Sequence, residues 1–322
     1  MTSTILGTGS ALPEKIVTND DLTSFIDTND AWIRERTGIC ERRIAVTENT
    51  TSLSIEAGRK ALEDANISPE DIDLLLVASV TPDGSIPNTA CKVQAALGTT
   101  NAMCYELNAA CTGFIYAMHA AHAYITSGLI RHALIIGAET LSKIMDWSDR
   151  GTCILFGDGA GAAVLGASED GIMCIEGGSD GKKGSVLTCE NAPLINPYVK
   201  NAPRSPYVEM DGQAVFKFAV RKIPEIVQTL VTKADISLED LNMILLHQAN
   251  IRIIQTAAKR LKLDEQLFPI NLDHYGNTSS ASVAILLDEV RRSGKLKNGD
   301  LVALAGFGGG LTWGGVLLKW TL

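Results

Sequence analysis

Three reactive or hydrogen-bonding side chains stand at the ends of elements, Cys111 and Asn277 at helix starts and His247 directly after an apolar strand. Cys111 lies in "LNAACTGF" (107–114), His247 follows the apolar "NMILL" and opens "HQANIRII", and Asn277 sits in "GNTSSAS". A thiol at the first turn of a helix meets free N–H groups and a partial positive charge, which lower its pKa and favour a nucleophile. Ala109, Ala110, Thr112 and Gly113 leave room for a substrate to approach it. The other six cysteines read as inert small hydrophobes. His247 stands at the carboxyl end of a strand, where open α/β sheets place ligands. His119, His122 and His132 read as structural, and His274 competes with His247 from the loop of Asn277. Asn277 reads as an N-cap, a position that can also aim an amide donor at a pocket. The glycine run "GFGGG" (306–310) is either a tight turn or a source of backbone N–H groups for an oxyanion.

The elements that must position these groups come from an internal repeat. "ANISPEDIDLLLV" (65–77) overlays "ADISLEDLNMILL" (234–246) with six of thirteen positions identical. "SGLIRHALIIGA" (127–138) echoes "SGKLKNGDLVALAG" (293–306), and "GAGAAVLG" (159–166) echoes "GGGLTWGGVLL" (308–318). Each copy alternates strand and helix, which predicts largely parallel sheets covered by helices. Two halves, 1–170 and 171–322, would then pack about a pseudo-twofold axis with helices buried between the sheets. To within a few residues, the overlay sets Cys111 opposite Asn277 at the starts of equivalent helices.

Composition narrows the class. The 322 residues are 46% hydrophobic and 20% charged with a net charge of -9, which suits a well-buried enzyme and excludes a general nucleic-acid binder. No apolar run approaches the roughly 20 residues of a membrane span, and "MTSTILGTGS" lacks the pattern of a signal peptide. Seven cysteines without CxxC spacing point to free thiols in a reducing cytoplasm, not to disulfides or zinc. "GTGSALP" (7–13) follows a strand but lacks a third glycine, and "GDGAGA" (157–162) leads into a strand, so neither is a Rossmann dinucleotide site. Against the acidic total, Lys217, Arg221 and Lys222 cluster in "FKFAVRK", and Arg252, Lys259, Arg260 and Lys262 follow His247. Such clusters are usually solvated faces; here they could also receive an acidic partner.

The motifs "AACTGF", "HQAN" and "GNTSSAS" together resemble the Cys-His-Asn triad of β-ketoacyl-acyl-carrier-protein synthase III, in the thiolase superfamily. The resemblance spans the chain, through "WIRERTGICERR", "DRGTCILFGDGAGAAVL" and "GFGGGLTWGG". The C-terminal glycine loop lacks a thiolase's second cysteine, and Asn277 stands where elongating synthases have a histidine. The resemblance implies a five-layered αβαβα fold and a decarboxylative condensation of an acyl-CoA primer with malonyl-acyl carrier protein. It implies Cys111 as nucleophile, His247 and Asn277 as donors to an enolate, and the N–H groups of Cys111 and Gly309 as oxyanion hole. Trp32 and Arg150 would sandwich the coenzyme A adenine; Arg36 and Arg252 would meet phosphates, and Thr28, Gly212 and Asn250 the ribose–pantetheine arm. Ile86, Leu141, Phe307 and Leu311 would shape the acyl pocket, with Ile86 reaching across a homodimer. Lys217, Arg221, Arg252 and Lys259 would dock the carrier protein. Coenzyme A enters as substrate, and no metal or other cofactor is implied. Two alternatives stay open: an acyl-cysteine acyltransferase of secondary metabolism or hydrolase acting on another acceptor, and a silent scaffold that only binds acyl carriers.

Overall fold

The computed structural model describes residues 1–190, 195–200 and 205–322. The first half runs β1 (Thr2–Ala11), α1 (Asp30–Thr37), α2 (Thr50–Ala65), β2 (Leu74–Ala78), α3 (Thr89–Leu97), β3 (Met103–Leu107), α4 (Gly113–Thr126), β4 (His132–Glu139) and β5 (Gly159–Ser168). The second runs β6 (Ile172–Ser179), α5 (Gly212–Lys233), β7 (Met243–Leu246), α6 (Ile251–Leu261), α7 (Ser282–Arg292), β8 (Leu301–Gly308) and β9 (Thr312–Lys319). The strand order is β1-β5-β4-β2-β3 in one sheet and β7-β8-β9-β6 in the other.

Side chains alternate between layers with the strand period of two. On the outside of the first sheet, Leu53, Ala57 and Ala61 of α2 and Val93 of α3 pack on Leu75, Val77 and Ile136. On the outside of the second, Ile226 and Leu230 of α5 and Ile254 of α6 pack on Ile244, Leu246 and Ala303. Between the sheets, Phe114, Ile115 and Met118 of α4 and Val283, Leu286 and Leu287 of α7 meet Leu74 and Leu76 on one side and Leu245 and Leu304 on the other. These are the five layers αβαβα. α4 is apolar around most of its girth, as burial on all sides requires, and α7 is buried through its first two turns before its charged end.

Both sheets are mixed, not largely parallel. β2 is parallel to β3 and β4, and β7 to β8, but every pairing of β5 and β9 is antiparallel. The connections explain this. β8 reaches β9 through residues 309–311 alone, and parallel neighbours need a crossover of about a dozen residues or more. Among the described residues the second sheet also lacks a counterpart of β3. Pro269, in the segment that follows α6, has no N–H for a ladder, and the Gln248 side chain ties that segment down instead, donating to Pro269 O and accepting from Asn271 N–H. Gly7 and Gly9 lie inside β1, not in a loop after it. A Cβ on either would come within 2.4 Å of the α2 backbone, so both glycines admit a close helix.

Candidate active site

Cys111 occupies a 3-10 turn (Ala110–Thr112) between β3 and α4. Ala110 takes a positive φ of 48°, and its N–H donates to Asn108 Oδ1 at 3.2 Å. The second half repeats this turn at Ser279–Ala281, ahead of α7. Ser279 also has φ 48°, and its N–H donates to Asn277 Oδ1 at 2.8 Å. The structural register therefore pairs Asn108 with Asn277 and Cys111 with Ser280, three residues away from the sequence overlay. From the other side β8 presses on the turn of Cys111: a Cβ on Gly308 would stand 2.7 Å from the Cys111 N.

Burial decides the ionisation of the thiol. Cys111 is pushed up from 9 to about 12 by desolvation, against a hydrogen bond from Ser279, and the nearby Glu139 carboxylate adds to the rise. A change of that size favours the thiol by about 4 kcal/mol, more than the roughly 2 kcal/mol a helix terminus supplies at best. The low-pKa thiol expected from the helix N-terminus is thus overridden, and the resting group is protonated.

His247 extends the β7 ladder by one residue, its N–H donating to Ala305 O of β8 at 2.9 Å. Its ring is buried, meets Phe307 edge-on at 5.2 Å, and leaves Nδ1 without a hydrogen-bond partner. Desolvation pushes its pKa down to about 3, so the imidazole is neutral. Asn277 is held at both backbone ends, N–H to Leu155 O at 2.8 Å and carbonyl to Gly157 N–H at 3.1 Å. With Oδ1 committed to Ser279, its remaining polar group is the NH2 donor. His119, His122 and His132 bond Gly315 O, Ser3 Oγ and Asp71 O, and exposed His274 faces Glu41 and Asp273 outside the cavity.

Cys111, His247 and Asn277 line one cavity of about 250 Å³, with Trp32, Arg36, Gly212, Asn250 and Phe307. Its mouth widens into a hollow of about 790 Å³ lined by Arg36, Gly212, Lys217, Asn250 and Arg252. Two bonds stitch α1 to the head of α6 beside it: Asn250 Nδ2 to Arg36 O at 2.9 Å and Arg252 to Glu35 O at 2.8 Å. Trp32 lies under the guanidinium of Arg36 at 4.4 Å and of Arg150 at 5.2 Å. A flat ring between Trp32 and Arg150 needs roughly 7 Å, two carbon contact distances, so a base must displace Arg150 from its bond to Asp27 O.

Other expected residues lie farther off. Thr28 is outside the lining, with a buried hydroxyl lacking a partner. Leu141 and Leu311 are buried but do not line the cavity, and Ile86 is 94% exposed on its own chain. Arg221 and Lys222 face Glu225, whereas exposed Lys217 and Lys259 make no ion pair among the described residues. Gly309 packs beside the turn of Cys111, its would-be Cβ 3.6 Å from Ala110 Cβ. Sequence reasoning missed the apolar lining, Phe156, Leu187, Met210 and Phe216, and it missed Arg42, Ser279, Ser280 and Glu139. Arg42 is fully buried and braces the 154–157 wall through Ile154 O at 2.8 Å; burial pushes its pKa down to about 10. Its only signal was its place as the third of four arginines in "WIRERTGICERR".

A five-layered fold with a thiol, an imidazole and a carboxamide meeting between its halves defines the thiolase-like condensing enzymes, a class of acyltransferases. Residues 105–181 match the family model described as 3-oxoacyl-[acyl-carrier-protein (ACP)] synthase III, and residues 231–320 match the model of its C-terminal part. The chain is 50% identical over 319 residues to β-ketoacyl-[acyl-carrier-protein] synthase III of Clostridium acetobutylicum, covering 98% of each. The crystal structure of 3-oxoacyl-[acyl-carrier-protein] synthase III from Aquifex aeolicus aligns with a TM-score of 0.93 at 42% identity, over 99% of this chain and 100% of that one. The priming β-ketosynthase of the R1128 polyketide pathway aligns at 0.93 and 36% identity, over 99% and 96%. The chain belongs to the β-ketoacyl-acyl-carrier-protein synthase III family.

Proposed function

We propose that this enzyme opens type II fatty acid synthesis by condensing an acyl-CoA primer with malonyl-acyl carrier protein, Cys111 carrying the acyl group. The observation that supports the reading is the convergence of Cys111, His247 and Asn277 on one cavity that opens to a partly basic mouth. The Cys111 sulfur attacks the primer carbonyl, the N–H groups of Cys111 and Gly309 hold the tetrahedral oxyanion, and coenzyme A leaves as its thiol with the proton from Cys111. In the second stage the malonyl C–C bond breaks, CO2 departs, and its bonding pair becomes an enolate. A neutral imidazole N–H and the Asn277 amide donate to the enolate oxygen in a dry site, where such donors act most strongly. The carbanion attacks the acyl-cysteine, the sulfur leaves, and the β-ketoacyl carrier protein is the product. The steps use no metal or redox cofactor.

Arg36 and Arg252 sit at the mouth where coenzyme phosphates would arrive, with Gly212 and Asn250 along the arm and Trp32 and Arg150 at the base. We take 1–170 and 171–322 as the two halves, the working unit as a cytoplasmic homodimer, and Ile86 as a residue lent to the partner's acyl pocket. No helix among the described residues is long and apolar enough to cross a membrane. Mass spectrometry after incubation with acetyl-CoA tests the reading. An acyl adduct on Cys111 is expected, with none in Cys111→Ala, and the acylated enzyme should release CO2 from malonyl-carrier protein. Equal adducts on Cys153 or Cys91, or no CO2, would overturn it.

A further inference from the structure

Glu139 ends β4 with no exposure, and no step above uses it. Its Oε2 accepts from Thr81 Oγ at 2.6 Å and Val80 N–H at 3.1 Å, with Ser79 Oγ at 3.3 Å. Its Oε1 lies 2.7 Å from Ser280 Oγ, which also lies 2.9 Å from Ala78 O. Its partners are hydroxyls and a backbone N–H, it makes no ion pair among the described residues, and burial pushes its pKa up. A buried carboxylate without a cation is a costly way to fill a core position, and an apolar side chain would pack there without that cost. What the carboxylate adds is direction. It ties the ends of β2 and β4 in one half to the Ser279–Ala281 turn of the other. The approach is tight by construction, since a Cβ on Gly137 would stand 2.3 Å from Ser280 O. Asn277 closes the same turn through its Oδ1 on Ser279 N–H at 2.8 Å.

We propose that Glu139 is a positioning residue for the condensation step, fixing through Ser280 the turn that aims the Asn277 amide into the cavity. The inference rests on the roles given above to Cys111 and Asn277. Hydrogen-bond direction, not charge, is what Glu139 supplies. A neutral amide in its place could accept from Thr81 and Val80 while donating to Ser280, leaving the Ser280 hydroxyl for Ala78 O.

The two half-reactions separate this role from a structural one. In Ser280→Ala, decarboxylation of malonyl-carrier protein by the pre-acylated enzyme should slow about ten- to hundredfold, the cost of a misaimed group. Its KM for the carrier substrate and the burst rate of Cys111 acylation should stay near native. Glu139→Ala should show the same split and Glu139→Gln should restore most of the rate; if Glu139→Ala does not fold, Ser280→Ala decides alone. Equal losses in both half-reactions, or native decarboxylation in Ser280→Ala, would overturn the proposal. Asn277→Ala serves as control. If it shows the split and Ser280→Ala does not, the Glu139 inference alone falls; if it condenses normally, the role of Asn277 falls with it.

Discussion

Two neutral groups face each other across the resting cavity, and burial makes both so. Burial holds the Cys111 pKa well above its ordinary value and the His247 pKa well below it. Between about pH 5 and 8 an ordinary histidine would change charge, but this one, with its folded pKa lowered, stays neutral throughout. Decarboxylation by the acylated enzyme should therefore show no break near pH 6.5 in single-turnover assays; a break there would mean that His247 titrates. A second prediction concerns primer choice. Ile86→Phe should favour acetyl-CoA over isobutyryl-CoA, but only partly, because a small change of apolar volume is worth about 1–3 kcal/mol. An unchanged ratio of kcat/KM for the two primers would place the wall of the acyl pocket elsewhere. Cys111 and His247 were legible in the sequence because each ends an apolar run with a reactive group. Glu139 ends such a run too, but its meaning depends on Ser280, 141 residues away, and no local pattern reveals that partner.

At the scale of elements, the paired turns at Ala110–Thr112 and Ser279–Ala281 do the positioning, and β8 is wedged against the first of them. Gly308→Ala would put a methyl 2.7 Å from the Cys111 N. The turn must then shift, and with it the sulfur and the oxyanion N–H. Acylation by acetyl-CoA should fall about hundredfold in a protein whose circular dichroism is unchanged; native burst kinetics would show that the turn has slack. The repeat made strands, helices and halves readable, because apolar periodicity survives duplication. Strand direction was not readable: the 309–311 turn and the 140–158 loop reverse the chain without a crossover helix, and alternation of elements does not record that. Register was off by three residues for a similar reason, since the overlay followed side-chain types while the backbone turn follows Ala110 and Ser279.

For the whole molecule, a net charge of -9 would repel an acidic carrier protein, and the mouth answers with Arg36, Lys217 and Arg252. We propose that Lys259, exposed on α6, adds to the surface that receives the carrier protein. Lys259→Glu should raise KM for malonyl-carrier protein at low salt and barely change KM for acetyl-CoA. The difference should shrink as salt rises, because exposed charges are screened over about 10 Å at 0.1 M. An unchanged KM at low ionic strength would leave Lys259 as plain surface. The seam between the halves has a further consequence. Cys111 belongs to one copy, His247 and Asn277 to the other, and the mirrored posts of Cys111 and Asn277 hold Ser280 and Asn108. Duplication here did not make two workplaces; it made one, staffed from both sides. A gene fragment encoding either copy would inherit no share of the activity, and it would leave α4 or α7 without the sheet that covers it. The trade is transmitted whole or not at all.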